Sequence, residues 1–222
     1  MRGRISEIFH SVQGEGLYLG EKQLFVRLFG CNLSCKFCDT KLYRFMEYEP
    51  HEVLEELKLY EDFHSVSFTG GEPLLQKEFL KETLELSSAH GFKNYLETNG
   101  TLAGELKEVI DFVDIVAMDL KLPSSTDMGS FWSMHRSFFE VASKKEVFVK
   151  MIICKSTQEK CLREALRMIK EVNRSAMAIL QPNSFELDEE LVGKLQAFRD
   201  VCFEEGITAC VIPQMHKAAG IR

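Results

Sequence analysis

The feature that most constrains this 222-residue chain is a group of three closely spaced cysteines, Cys31, Cys35 and Cys38. Their spacing is C-x3-C-x2-C, and the next cysteine along the chain is Cys154. Three thiolates this close together can bind three irons of a four-iron cluster and leave the fourth iron open to an exogenous ligand. The triplet therefore predicts a reactive metal site.

Two other metal or redox sites fit the triplet less well. A structural zinc site normally takes four protein ligands, but His10, His51 and His64 are isolated in the sequence and lack ligand spacing. A redox CxxC pair would not need Cys31. A zinc site completed by a histidine and a non-catalytic metal-binding module stay open as alternatives.

A disulfide framework is not expected, because the cysteine count of seven is odd and the N-terminal segment lacks the apolar stretch of an export signal. We predict that the cysteines outside the triplet are buried structural thiols. They are Cys154, Cys161, Cys202 and Cys210.

Composition limits the partners and the location of the protein. The net charge is −7 and the basic residues are scattered, which argues against nucleic acid and anionic membranes as partners. No apolar stretch approaches the roughly 20 residues that a membrane span needs. We expect a cytoplasmic protein that forms one domain over residues 1–222.

Apolar, β-branched runs alternate with helical segments along the whole chain, which is typical of βα units and a parallel sheet. The length is too short for eight such units, so we predict an α/β fold, an open partial (β/α) barrel with a mainly parallel sheet of six or seven strands. The predicted strands are 24–29, 65–70, 94–99, 113–120, 147–153, 176–181 and 207–212. The predicted helices are 50–60, 76–90, 102–111, 131–144, 158–172 and 187–205.

Four consecutive predicted strands end in loops rich in glycine, cysteine or polar residues, at 30–31, 69–73, 97–100 and 119–124. Ligands in such folds gather at the carboxyl ends of parallel strands. We therefore expect one active-site edge that carries all four loops.

The aromatic Phe37 completes the pattern C-x3-C-x-aromatic-C, and the sequence TGGEPL at 69–74 follows the next predicted strand. Together these motifs resemble those of radical S-adenosylmethionine enzymes. The resemblance implies a [4Fe–4S] cluster and S-adenosylmethionine as cofactors.

Motifs near both ends of the chain resemble those of one family among these enzymes. A QGEG turn at 13–16 precedes FVRLFGC at 25–31, and the chain ends in VIPQMHKAAGIR. Arg27 lies in an apolar strand, where its planar guanidinium suits a carboxylate partner. The whole arrangement is similar to the 7-carboxy-7-deazaguanine synthase family.

The resemblance assigns roles to individual residues. The metal ligands would be Cys31, Cys35 and Cys38 for the cluster and Thr40 for Mg²⁺. The S-adenosylmethionine site would comprise Phe37, Cys38, Asp39, Gly71, Glu72, Glu97, Lys121 and Ser124. The substrate site would comprise Val12, Gln13, Gly14, Glu15, Arg27, Thr69, Gln214 and His216.

The implied activity is that of a radical S-adenosylmethionine lyase. It would convert 6-carboxy-5,6,7,8-tetrahydropterin to 7-carboxy-7-deazaguanine with release of ammonia, in queuosine or related deazapurine biosynthesis. The resemblance further implies a homodimer and a one-electron donor such as flavodoxin or ferredoxin. The closest rival keeps the cofactors but makes the protein an activase that installs a glycyl radical on a partner protein.

Overall fold

The structure is a computed structural model that describes residues 1–38, 40, 42–215, 217 and 220. The strands are β1 (Gly3–Val12), β2 (Lys22–Leu28), β3 (Met46–Tyr48), β4 (Ser65–Gly70), β5 (Asn94–Thr98), β6 (Ile115–Asp119), β7 (Glu146–Ile153), β8 (Ala178–Pro182) and β9 (Ala209–Val211). The helices are α1 (Pro50–Leu57), α2 (Lys77–Ala89), α3 (Ala103–Val109), α4 (Pro123–Thr126), α5 (Trp132–Ala142), α6 (Glu159–Val172) and α7 (Glu189–Glu204).

Within the described ranges, all these strands form one sheet in the order β3-β1-β2-β4-β5-β6-β7-β8-β9. Seven of these strands, β2 and β4 to β9, are parallel neighbours, and they correspond one by one to the seven predicted strands. The sheet is open, so the predicted α/β partial barrel is confirmed. Two antiparallel strands that the sequence analysis did not predict, β1 and β3, extend its N-terminal edge.

Several of the parallel strands are apolar on both faces because each face packs against a different layer. Successive side chains of a strand point to opposite faces. Leu96, Val116 and Val149 belong to the large core beneath the helices. Their neighbours Tyr95 and Phe148 belong to a smaller cluster on the inner face.

The predicted helices are all present, and their buried stripes explain how they pack. In α6, Leu162, Ala165, Leu166 and Ile169 lie at helical spacing, and all are buried, as predicted. Burying each large apolar side chain contributes roughly 1.5–3 kcal/mol. This stripe therefore fixes α6 against the sheet.

The β1–β2 turn covers the inner face at the amino ends of the parallel strands. Tyr18 lies 5.0 Å from the His64 ring, 5.7 Å from Tyr95 and 6.4 Å from Phe148, measured between ring centroids. Gly16 has φ +70°, and a Cβ there would come within 2.9 Å of the Phe148 ring. The turn therefore forms a floor inside the open barrel. No helix within the described ranges is both long and apolar enough to cross a membrane.

Candidate active site

An open cavity of about 910 Å³ lies above this floor, where the predicted strand-end loops meet. It brings together predicted residues from six separate segments of the chain. Those that line it are Val12, Gln13, Gly14, Glu15, Arg27, Cys31, Cys35, Phe37, Cys38, Thr40, Thr69, Gly71, Glu97, Lys121 and Gln214. The remaining predicted residues are Glu72 and Ser124, which do not line it, and Asp39 and His216, which lie outside the described residues.

The cysteine loop forms one wall of the cavity and is tied to two other loops. The Asn32 amide nitrogen donates to Thr101 Oγ1 at 3.0 Å, and the Lys36 backbone N–H donates to Thr126 O at 3.0 Å. The Cys38 backbone N–H donates to Cys35 O at 3.2 Å. These bonds hold the triplet over the ends of β5 and β6.

The thiols of the triplet are close enough to influence one another. Burial raises the pKa of Cys31 and of Cys35, and the neighbouring cysteine sulfurs raise both pKa values further, while the Lys121 ammonium lowers them. Within the described part of the chain, no three His, Cys, Asp or Glu side chains converge as ligands of a single metal ion. A four-iron cluster takes each thiolate on a different iron and needs no such convergence.

The glycine pair after β4 allows the chain to approach the cysteine loop closely. A Cβ on Gly71 would lie 2.0 Å from the Gly30 carbonyl oxygen, and one on Gly70 would lie 2.1 Å from Leu28 O. Gly70 also has φ +141°, in the region that favours glycine. The pair therefore permits a contact that no other residue type allows.

Glu72, which was predicted to contact the cofactor, lies behind the cavity wall. Its side chain is fully buried, and its carboxylate accepts hydrogen bonds from the Thr98 hydroxyl and from the backbone N–H groups of Leu74 and Asn99. Burial raises its pKa to about 7, although these donors act in the opposite direction. The visible role of Glu72 is to fix the β5 end behind the cavity wall.

Ser124 also lies away from the cavity, because its hydroxyl is hydrogen-bonded to Thr157 Oγ1 at 2.7 Å. The next residue, Ser125, lines the cavity instead. The α4 turn explains this difference, since consecutive residues of a helix point in different directions.

Beside the floor, a chain of polar side chains joins the predicted cofactor and substrate residues. Gln13 Nε2 donates to Glu97 Oε1 at 2.8 Å and to Gln23 Oε1 at 2.9 Å. The Thr69 hydroxyl donates to Glu97 Oε2 at 2.8 Å. Glu97 was predicted to bind the cofactor, but its contacts group it with the predicted substrate residues.

Four charged side chains form a second network, in which Lys150 is buried and the other three are partly buried. Lys150 Nζ lies 2.9 Å from Glu15 Oε1 and 3.4 Å from Asp119 Oδ1, and Lys121 Nζ lies 2.9 Å from Asp119 Oδ2. Burial alone would raise the pKa of Asp119, but the two ammonium groups lower it overall. The carboxylates likewise raise the pKa of Lys150 well above its usual value, against the effect of burial.

The C-terminal segment meets the QGEG turn, as the pairing of both motifs in one site requires. The Met215 backbone N–H donates to Gly14 O at 2.8 Å, and Gln214 Nε2 donates to Glu15 Oε2 at 3.4 Å. The contact with the turn therefore holds Gln214 at the cavity, which it lines.

Five charged residues of the cavity were not singled out from the sequence: Glu7, Arg44, Asp119, Lys150 and Lys217. Lys150 lies in the apolar run VFVKMII, the same kind of context that drew attention to Arg27, so the same argument would have found it. Glu7 lies on the unpredicted strand β1, and no apolar run in the sequence marks its position.

Comparison with known proteins identifies the family. Residues 25–180 match the Radical SAM superfamily. The chain is 32% identical to the 7-carboxy-7-deazaguanine synthase of Geobacter sulfurreducens, covering 97% of this chain and 96% of that one. It is 34% identical to the synthase of Archaeoglobus fulgidus, over the full length of both chains. The chain belongs to the 7-carboxy-7-deazaguanine synthase family.

Solved structures agree on the fold. The crystal structure of QueE from Escherichia coli superposes with a TM-score of 0.68 at 18% identity, covering 95% of this chain and 94% of that one. SuiB from Streptococcus suis gives a TM-score of 0.61 at 15% identity, covering 86% of this chain and 48% of that one. Membership of the 7-carboxy-7-deazaguanine synthase family makes this chain a radical S-adenosylmethionine enzyme with an iron–sulfur cluster.

The residues present fit the cofactors of a 7-carboxy-7-deazaguanine synthase. All seven cysteines are free, and Cys31, Cys35 and Cys38 lie on one cavity wall, which is the thiol donor set that iron–sulfur clusters use. The other cysteines differ: Cys154 and Cys202 are buried, as predicted, whereas Cys161 and Cys210 are only partly buried.

Proposed function

We propose that this protein converts 6-carboxy-5,6,7,8-tetrahydropterin to 7-carboxy-7-deazaguanine and ammonia. The single observation that carries the proposal is that three free thiols and the Arg27, Gln13 and Glu97 side chains line one cavity. The product and ammonia together contain the atoms of the substrate. The overall conversion therefore needs no net oxidant.

The cofactor side of the proposal assigns Cys31, Cys35 and Cys38 to the cluster. Bound together, the cluster and S-adenosylmethionine supply the organic radical that removes a hydrogen atom from the substrate. Phe37 and Gly71 line the cavity beside the thiols, which supports their assignment to S-adenosylmethionine. Asp39 and Lys121 are assigned to the same cofactor.

Several residues are placed to hold the pterin. The N–H groups of a pterin ring need acceptors, and Glu97 and Glu15 supply carboxylate oxygens in the cavity. Gln13 and Thr69 donate to Glu97, so they hold its carboxylate in one orientation. Val12, Gly14, Gln214 and His216 complete the proposed substrate site.

Arg27 is assigned to the carboxylate of the substrate, because a guanidinium binds a carboxylate through two parallel hydrogen bonds. Thr40 also lines the cavity, and we assign its hydroxyl to Mg²⁺. Mg²⁺ accepts a single protein ligand when waters and substrate oxygens fill its other positions.

The wider setting completes the proposal. We assign the protein to queuosine or related deazapurine biosynthesis in the cytoplasm, as one domain that forms a homodimer. A flavodoxin or ferredoxin would supply the electron.

The test is a product assay under anaerobic conditions. Protein with a reconstituted cluster is incubated with S-adenosylmethionine, dithionite, Mg²⁺ and the pterin, and the products are identified by mass spectrometry. We expect 7-carboxy-7-deazaguanine and an equal amount of ammonia. No product from protein with a verified cluster would reject the substrate, and a glycyl radical on a partner protein would support the rival activase.

A further inference from the structure

A buried lysine on β7 connects the floor of the cavity with the loop after β6. The Lys150 side chain is 5% exposed, yet it lines the cavity. Its Nζ atom lies between Glu15 on the floor and Asp119 at the end of β6, and Asp119 in turn binds Lys121. These four side chains form a row of alternating charge.

The backbone explains why Lys150 reaches both carboxylates. Lys150 is directly paired with Asp119 in the parallel β6–β7 ladder. The floor turn packs on the same lysine, because a Cβ on Gly16 would lie 3.5 Å from Lys150 Cδ. One rigid strand position therefore meets two segments far apart in sequence.

The charges make Lys150 the residue on which the orientation of Glu15 depends. Glu15 Oε1 binds Lys150 at 2.9 Å, whereas the contact of Glu15 Oε2 among the described residues is the longer one of 3.4 Å from Gln214. Removing one partner of a buried ion pair leaves the other charge uncompensated, which is strongly unfavourable. Without the ammonium, Glu15 would turn toward water and leave its position.

We propose that Lys150 is a positioning residue that holds the Glu15 carboxylate in place for the substrate ring. This inference rests on the proposed function, because the ring in question is that of the pterin. Lys150 acts through Glu15. Its loss therefore weakens binding of the substrate more than it slows the reaction of the bound substrate.

The experiment compares Lys150→Met, Lys150→Arg and the exposed control Lys144→Met, with the cluster content of each variant verified. At saturating S-adenosylmethionine, we expect Lys150→Met to raise the KM for the pterin about tenfold or more with a smaller change in kcat, the pattern of lost ground-state binding. Lys150→Arg keeps the cation and should recover part of this loss. Lys144→Met should match the wild type.

A double-mutant cycle tests whether the effect passes through Glu15. Glu15→Gln and the double variant Glu15→Gln/Lys150→Met should have similar KM values, because the second change removes a residue whose partner is already gone. If the KM increases of the two single variants multiply in the double variant, the inference is overturned. The double variant also keeps the test available if Lys150→Met does not fold, since it removes one uncompensated carboxylate.

Failure of the inference and failure of the proposed function give different results. If the wild-type protein turns over the pterin and Lys150→Met has an unchanged KM, the inference alone is rejected. A fully loaded wild-type protein that neither binds nor converts the pterin rejects the proposed function and the inference with it.

Discussion

Arg27 lies directly opposite Glu7 in the antiparallel β1–β2 ladder, with its Nε atom 2.7 Å from Glu7 Oε1. Both side chains line the cavity and are about a quarter exposed. The Arg27 guanidinium also lies 5.6 Å from the centre of the Phe9 ring. A cross-strand carboxylate and an aromatic ring therefore orient the arginine on the strand that precedes the cysteine loop.

This pairing predicts that the fork of Arg27, and not only its charge, matters for the substrate. Arg27→Lys keeps the charge but loses the paired N–H groups, so we expect the KM for the pterin to rise about tenfold or more. Glu7→Gln removes the protein carboxylate but leaves the arginine in place, and its effect should be several times smaller. Steady-state kinetics check both, and an Arg27→Lys variant with wild-type KM would contradict the assignment.

The sequence predicted the parallel strands well because they are apolar runs that alternate with helical segments, and several of them are apolar on both faces. It did not predict β1, most of whose residues are partly buried or exposed, so its pairing with β2 depends on partners that are not local. β3 is only three residues long and gives no periodic pattern. Both unpredicted strands lie at one end of the sheet, where burial is least complete.

The residues of the candidate site also divide into those that local sequence predicts and those that depend on distant partners. Local motifs identified the cysteines, the glycine pair and Arg27, because their spacing or context is unusual within a few residues. The side-chain partners of Glu72 were not predicted, because Thr98 and Asn99 belong to a different strand and the loop after it. Glu7 was missed because its significance lies in a partner across an unpredicted ladder.

The cysteine triplet predicts a specific loss of metal. Cys31→Ser, Cys35→Ser and Cys38→Ser should each reduce the iron bound after anaerobic reconstitution and weaken the brown colour, because each removes a thiolate ligand. Cys161→Ser, in α6 and away from the cavity, should retain the wild-type iron content. Iron and sulfide analysis checks this, and triplet variants with full iron and sulfide would contradict it.

The close contact of Gly71 with Gly30 predicts opposite effects for two glycine-to-alanine changes. Gly71→Ala forces the Gly30 carbonyl away and should displace the cysteine loop, lowering both stability and cluster content. Gly193→Ala, inside α7 with open space around it, should instead stabilise the protein by about 0.5–1 kcal/mol. Chemical denaturation measures both, and a Gly71→Ala variant as stable and as well loaded as the wild type would contradict the predicted strain.

The buried carboxyl of Glu72 predicts a pH dependence of stability. Burial raises its pKa from 4.5 to about 7 in the folded protein. Between these two values the folded state holds a proton that the unfolded state has released. The free energy of unfolding should therefore fall as the pH rises through this interval.

Glu72→Gln isolates this contribution, because the amide does not titrate. We expect the stability of the wild type relative to Glu72→Gln to decrease from pH about 4.5 to pH about 7 and then to level off. Urea denaturation at a series of pH values measures the wild type, Glu72→Gln and the exposed control Glu140→Gln. A wild-type advantage that grew with pH would mean that the hydrogen bonds from Thr98, Asn99 and Leu74 outweigh burial and keep the carboxylate ionised.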